Sequence, residues 1–496
     1  MKGSNSLKAT KKEWFGLAVI ALPCMLYSMD LTVLNLAVPK LTADLNPSGT
    51  QLLWIVDIYG FLLAGFLITM GTLGDHIGRR KLLLIGAVAF GLASVLAAFS
   101  SSAEILILAR AILGIAGATL APSTLSLISN MFRDEKERTT AIAVWITSFS
   151  LGGAVGPVIG GIMLEHYWWG SVFLIAIPIM VLLLIAGPAL LPEFKNSNAG
   201  KTDLVSALLS LAMVLAIIYG VKNISVEGFS WLPLLSIVLG LLLGVLFIRR
   251  QHYLKNPFID LRMFRVPVFS SSLIIYLLST FILFGMFFFI AQFLQLVLNL
   301  SPLAAGLWML PSFAGFIVGS MATPILSKRF SPVNIVFTGL LIAAVGFGLL
   351  TQLRPDNGLV LVVTALGIFS LGIAPVFTLA TDMVVGSAPP EQAGAAASLS
   401  ETSSELGGAL GIAILGSIGA LIFKKNMTHM SEIDTLGAAV TEAGVLAPDR
   451  GTSLLNTAQV AFTQGMKTVS AICLAISIVL AALVYIFRKK ITVHVA

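Results

Sequence analysis

Apolar runs of about 20 residues, parted by short polar stretches, follow one another along the whole chain. That length of α-helix covers the roughly 30 Å hydrocarbon core of a bilayer. The pattern therefore predicts spanning helices over 14–38, 51–72, 82–100, 104–129, 139–163, 171–191, 203–221, 231–248, 267–297, 302–326, 333–352, 358–386, 393–423 and 467–487, fourteen in all. Lys2, Lys8, Lys11 and Lys12 precede the first run as they would in a signal peptide. The run is long, contains Asp30 and lacks a small-residue cleavage site, so it reads as an uncleaved first helix. One long polar segment, 424–466, separates the last two helices. Its apolar patches, Leu436 to Val440 and Val445 to Ala447, predict either a small hairpin resting on the external face or an unstructured loop.

Composition agrees with a polytopic all-α membrane protein. Hydrophobic residues make up 57% of the chain and charged residues 11%, with a mean hydropathy of +0.98; a soluble domain carries about 25% charged residues. The net charge of +7 would suit a nucleic-acid binder, but the basic residues sit in short clusters between apolar runs, as cytoplasmic loops do. With the N-terminus in the cytoplasm, seven of the 30 Lys and Arg residues fall on external segments (Lys40, Lys222, Arg354, Lys424, Lys425, Arg450, Lys467). Arg110 lies inside a helix, and the other 22 are cytoplasmic, including Arg488, Lys489 and Lys490. An even helix count then puts both termini inside. Cys24 and Cys473 both lie in apolar runs and read as small packing residues without a disulfide framework.

A weak internal echo divides the chain. Gly71 to Lys81 follows the second helix and Ser327-Lys328-Arg329 follows the tenth, each a short basic turn. This predicts a six-helix half over 1–202, two inserted helices over 203–250 and a second six-helix half over 251–496 that includes the loop 424–466. Repeated halves with a site at their interface are a common transporter design.

Charges inside a bilayer are costly and usually face a cavity or a partner. Asp30, Asp57, Arg110, Glu401 and Glu405 lie within the predicted spans, with Asp382 nearer the cytoplasmic end. Asp30 is the best candidate proton carrier, because burial disfavours its charged form and a cation such as Arg110 restores it. Glu401 and Glu405 are four apart and share one helix face. Two carboxylates so close repel, so one holds its proton more tightly, and a cation can displace that proton; Glu405 is thus a candidate both for proton coupling and for substrate. Trp54, Asp57 and Tyr59 lie within two turns of the second helix near its external end, an acid beside aromatic faces that attract cations. The ninth helix adds Phe284, Phe287, Phe288 and Phe289, which face either a cavity or lipid. Acids and rings suit bulky lipophilic cations.

Three motifs resemble a known family. Gly71-Thr72-Leu73-Gly74-Asp75-His76-Ile77-Gly78-Arg79-Arg80-Lys81 resembles the loop signature of the major facilitator superfamily. Gly152-Gly153-Ala154-Val155-Gly156-Pro157-Val158-Ile159-Gly160-Gly161 resembles its antiporter signature on the fifth helix, where glycine every fourth residue bares one face for close packing and Pro157 favours a bend. Met29-Asp30-Leu31-Thr32-Val33-Leu34-Asn35-Leu36-Ala37-Val38-Pro39 resembles the first-helix signature of the fourteen-helix drug–proton antiporters. Two departures stand out: Leu113 where many members have Gln, and no Arg in Trp168-Trp169-Gly170-Ser171-Val172-Phe173. The resemblance implies two six-helix halves plus two extra helices, with Gly71, Asp75, Gly78, Arg79 and Arg80 as a conformational latch. It also implies proton-driven export of quaternary ammonium biocides, bisbiguanides, cationic dyes or viologens, with no cofactor and no metal. The setting it implies is the bacterial cytoplasmic membrane, and the partners are lipophilic cations, protons and lipid, with no nucleic acid, the chain acting as a monomer. An exporter of another small metabolite, such as an amino acid or siderophore, is the alternative within transport.

Other classes find less support. The five histidines, His76, His166, His252, His429 and His494, all fall in loops or tails, and there is no nucleotide loop or nucleophile triad to suggest an enzyme. The three motifs argue against a channel.

Overall fold

The computed structural model describes residues 8–486 apart from 48, 196–202, 228–229, 255–256, 258, 301, 355–357, 390–391 and 428–435. Its helices are α1 (Lys11–Leu45), α2 (Gly49–Ile77), α3 (Arg79–Ala98), α4 (Ala103–Met131), α5 (Glu135–His166), α6 (Ser171–Leu174), α7 (Ala176–Leu190), α8 (Leu204–Glu227), α9 (Trp231–Tyr253), α10 (Pro267–Gln292), α11 (Pro302–Leu326), α12 (Pro332–Leu350), α13 (Gly358–Gly386), α14 (Ala393–Asn426), α15 (Leu436–Ala443) and α16 (Pro448–Ile486). A π-helical turn, Phe293–Val297, continues α10. No strand occurs among the described residues. Each predicted span falls on a helix, with α6 and α7 sharing one span. Among the described residues twelve helices are long and apolar enough to cross a membrane, and Val205–Val221 is a shorter apolar stretch.

Several helices outrun the apolar run that announces them, because polar residues at their ends satisfy the free backbone groups. Asp134 accepts from the N–H groups of Lys136 and Glu137, so α5 starts before its apolar stretch. Ser102 caps α4 and Ser331 caps α12 in the same way.

The segment 424–466 departs most from expectation. It is neither an isolated hairpin nor, where described, an unstructured loop. α14 runs on to Asn426, α15 is a short helix, and α16 begins at Pro448, well before the predicted span. Leu454, Ala458, Ala461 and Phe462 are buried along one stripe of α16, at the helical spacing that holds an amphipathic helix on its neighbours. Phe462 packs on Phe289 with ring centroids 5.9 Å apart. Gln459 donates to the carbonyls of Leu296 and Val297 in the π turn, at 3.1 and 3.2 Å. Leu436 and Ala439 of α15 are buried. Residues 428–435, like the terminal stretch with Arg488, Lys489 and Lys490, lie outside the described residues.

Helix packing forms two groups. In the first, α1 packs on α5 and α7, α2 on α4, and α3 on α4 and α7; in the second, α10 packs on α13 and α14, α11 and α12 on α13, and α12 and α14 on α16. The groups meet where α5 lies on α11 and where α14 lies on α2 and α4. The pair α8–α9 stands to the side, with α8 against α2 and α14. Arg250 on α9 clips the start of α8 through Asp203, at 2.9 and 3.0 Å. That hydrogen-bonded guanidinium holds the Asp203 carboxyl down at about 2.

The bundle has a basic end, carrying Arg79, Arg80, Lys81, Arg133, Lys136, Arg138, Lys328 and Arg329, and a far end. Contacts between the two groups favour the basic end. Towards the far end, a side chain added at Gly161 of α5 or Gly306 of α11 would meet open space.

Candidate functional site

The charges expected inside the membrane fall into two sites, one in each helix group. In the first, Arg110 on α4 is fully buried and donates from Nη1 to Asp30 Oδ2 on α1, at 2.5 Å. Its Nε donates to the Ile55 carbonyl on α2 at 3.2 Å. Its guanidinium carbon lies 4.5 Å from the centre of the Tyr59 ring, a cation–π contact. A buried guanidinium needs such partners, because stripping water from a charge costs several kcal/mol or more. Beside Asp30, between α1, α3 and α6–α7, lies a pocket of about 20 Å³, room for a single water. Its lining is apolar except for Asp30 and Ser94.

The second site is on α14. Glu401 and Glu405 stand one turn apart, as their spacing predicts, and each feels the other's charge. Tyr27 of α1 reaches across from the opposite group and donates its hydroxyl to Glu405 Oε1 at 2.8 Å. Glu401 is buried, and its Oε1 has no hydrogen-bond partner among the described residues. Rings flank this acid pair from both groups. On one side Tyr27 packs edge-on to Phe149 at 5.5 Å, and Phe149 on Trp145 at 4.8 Å. On the other, Tyr276 lies within electrostatic reach of Glu401 and packs on Phe377 at 5.0 Å, which in turn contacts Phe316 at 5.6 Å.

The structure separates residues that the sequence put together. Tyr59 is fully buried under Arg110, so it belongs to the Asp30 site and not beside Trp54. Trp54 is 42% exposed and its ring neighbour is Phe61, at 6.4 Å. The Asp57 side chain lies outside the described residues. Phe284 and Phe288 are partly exposed and lie beside Gly408 and Gly416 of α14, Phe287 is half-buried beside Phe369, and Phe289 packs against α16. The rings beside the acids, Tyr27, Trp145, Phe149, Tyr276, Phe316 and Phe377, were not singled out. Tyr27 and Tyr276 had one signal to offer: a phenol inside an apolar helix must find a partner for its hydroxyl.

The basic end carries two clasps between the groups. At the first, Asp75 on α2 pairs with Arg79 on α3 and accepts from the Ala395 N–H in the first turn of α14. A carboxylate there meets both free N–H groups and the positive end of the helix dipole. Gly71 passes so close to Ser398 of α14 that a Cβ would strike its hydroxyl, and Arg79 fills the space over Gly394. Gly78 turns the chain between α2 and α3 with φ of +111°, a conformation L side chains rarely adopt. Arg80 donates to the carbonyls of Pro188 and Leu191 at the end of α7, while Glu193 accepts from the Arg80 and Lys81 N–H groups that start α3. The second clasp was not foreseen. Asp382, buried near the end of α13, takes Arg138 Nε at 2.6 Å and the Thr139 hydroxyl at 2.5 Å, both from α5.

The glycine face of α5 packs within its own group. Gly152 lies against the Met25 carbonyl and Gly160 against Val33, both on α1. Gly156 is also buried, Gly161 opens onto empty space, and the Pro157 side chain lies outside the described residues. Among the described residues no group of three His, Cys, Asp or Glu could hold a metal ion.

Residues 20–412 match the family described as the Major Facilitator Superfamily. The chain is 40% identical over 495 residues to the multidrug efflux pump LfrA of Mycolicibacterium smegmatis, covering 98% of each. It is 35% identical over 472 residues to the methyl viologen resistance protein SmvA of Salmonella typhimurium, covering 91% of this chain and 93% of that one. The human organic anion transporter MFSD10 shares the fold, with a TM-score of 0.61 at 15% identity over 94% of this chain and 99% of that one.

Proposed function

The chain belongs to the major facilitator superfamily, and we propose that it exports lipophilic mono- and divalent cations from the bacterial cytoplasm in exchange for protons. The observation that carries this reading is the acid pair on α14. Glu401 is buried with an unpartnered oxygen, four residues from a second carboxylate, between rings from both helix groups. A low-dielectric site with an unmatched acid favours a proton or a cation, and only one of them at a time. Flanking rings favour a cation with delocalised or quaternary charge. Quaternary ammonium biocides, bisbiguanides, cationic dyes and viologens fit that description, and the similarity to a multidrug pump and a methyl viologen resistance protein supports it.

The exchange runs as follows in this reading. The basic end faces the cytoplasm, as do both termini, in the cytoplasmic membrane. The clasps at Asp75 and Asp382 close that end, so this conformation releases cargo outward and takes up protons. Protonation of Asp30 weakens its pair with Arg110, and protonation of the α14 acids displaces the cation. The clasps then part, and the carrier returns. The proton gradient supplies the energy, no cofactor or metal takes part, and one chain suffices.

The test uses purified protein in liposomes with an imposed pH gradient and a panel of cations including methyl viologen. The expected result is accumulation that a protonophore abolishes. Absence of proton-linked movement for every cation in the panel overturns the reading.

A further inference from the structure

The two acid sites belong to different helix groups, and one side chain links them. Tyr27 lies three residues before Asp30 on α1, so the two share a helix face. Its hydroxyl crosses to Glu405 at 2.8 Å. Its ring stands 6.3 Å from that of Tyr59, which carries the Arg110 guanidinium, and Arg110 holds Asp30. A continuous line of contacts thus runs from Asp30 through Arg110, Tyr59 and Tyr27 to Glu405. Arg138 and Thr139 to Asp382, Asp75 to the Ala395 N–H and Ser320 to the Ala143 carbonyl also join the groups, and these bonds lie nearer the basic end. The charged and titratable groups around the Tyr27 bond are Glu401 on α14, Asp30 on α1, Arg110 on α4, and the phenols of Tyr59 on α2 and Tyr276 on α10.

We propose that Tyr27 is the positioning residue that couples the Asp30 site to the Glu405 site, holding α1 to α14 while Glu405 carries neither proton nor cargo. A phenol donating to a carboxylate makes a charge-assisted bond, roughly twice as strong as a neutral one. A carboxyl that has taken a proton, or that faces a bound cation, is a poorer acceptor. Either event weakens this tie across the groups. A part-buried hydroxyl that loses its acceptor turns towards another partner, so Tyr27 moves. Its ring borders Tyr59, whose face supports Arg110, and the movement reaches the partner of Asp30. The two acids then sense one another without touching. The Phe149 contact guides the ring, while the hydroxyl carries the message.

This inference rests on the export reading, and one experiment separates the two. Wild-type protein and Tyr27→Phe are reconstituted in liposomes with tetraphenylphosphonium as the probe. Tyr27→Phe keeps the ring and loses only the hydroxyl. Accumulation driven by a pH gradient is expected to fall about tenfold or more, as loss of a hydrogen bond to a charged group implies, and the ratio of accumulation to gradient-free exchange of the probe is expected to fall with it. The melting temperature in detergent checks the fold of the variant. Equal accumulation by Tyr27→Phe and wild type overturns the coupling role. So does a parallel fall in exchange and accumulation, because a merely structural residue would affect both. If the wild type moves neither this probe nor any cation of the panel with protons, the export reading fails and the inference falls with it.

Discussion

Asp30 and Glu401 are both carboxyl groups inside membrane-spanning helices and both largely buried, yet the protein treats them in opposite ways. Asp30 faces a guanidinium that is braced by a backbone carbonyl and an aromatic face. Glu401 keeps one oxygen without a partner, and its nearest charged neighbour is another acid. A bilayer tolerates a buried charge when its partner is built in or when its partner arrives. The first arrangement stabilises the fold and the second reserves a place. The contrast explains why only one of the two acids needs an arginine.

The strongest way to break the contrast is to remove the built-in partner. Arg110→Met is expected to cost about 3–5 kcal/mol, seen as loss of folded protein and a lower melting temperature in detergent. Adding Asp30→Asn to that variant should recover much of the loss; no recovery would show that the pair is not what matters. Asp30→Asn alone retains an acceptor for the guanidinium, so the protein should stay folded in the membrane while pH-driven transport disappears. Proton exchange unchanged in that variant removes Asp30 from the mechanism.

The reserved place predicts the reverse. Glu401→Gln should melt no lower than wild type, because no partner is stranded. It should weaken binding of a dication such as methyl viologen about tenfold, or about 1.4 kcal/mol, and that of a monocation less. Equal effects on both would argue against direct contact. A smaller change is expected of Trp54→Ala, because the ring is exposed and apart from the acids. Its stability should shift within about 0.5 kcal/mol and its transport should stay near wild type, whereas a large loss would restore a binding site near Asp57.

Asp203 gives the smallest effect and the scale for the others. It is a carboxylate paired with an arginine at the end of a helix pair, not inside the bundle. Its folded value of about 2 lies below the roughly 3.9 of an unfolded Asp. The stabilisation is therefore complete above about pH 4 and fades as pH falls through 2. Asp203→Asn should change the melting temperature far less than Arg110→Met at pH 7, and less still at pH 2, where most of the pair's stabilisation is lost.

The spans were readable in the chain because they depend on local spacing, whereas Gly71, Asp75 and Arg79 were marked by the resemblance of their loop, and Asp30 and Arg110, 80 residues apart, were each marked as a lone charge in an apolar run. Apolar length marks a span, and a lone charge in lipid announces its need for a partner. The i,i+4 step from Glu401 to Glu405 survives intact for the same reason. What the sequence hides is long-range geometry. Tyr59 is five residues from Trp54, but helix rotation turns it inward to Arg110. Tyr27 and Glu405 meet only because two helix groups close on each other. Arg138 and Asp382 each look like ordinary residues at helix ends until α5 and α13 bring them together. The start of α16 escaped a hydropathy reading because it is apolar on one stripe only.

That stripe has a practical consequence. α16 is 39 residues long, about 58 Å of helix against a hydrocarbon core of roughly 30 Å. Its first turns, with α15 folded alongside, stand proud of the bundle as a braced knob fixed by Phe462 and Gln459. Transporters of this shape give image-alignment software little to grip inside a detergent belt. An antibody fragment raised against the α15–α16 knob would supply a rigid fiducial and leave both acid sites untouched.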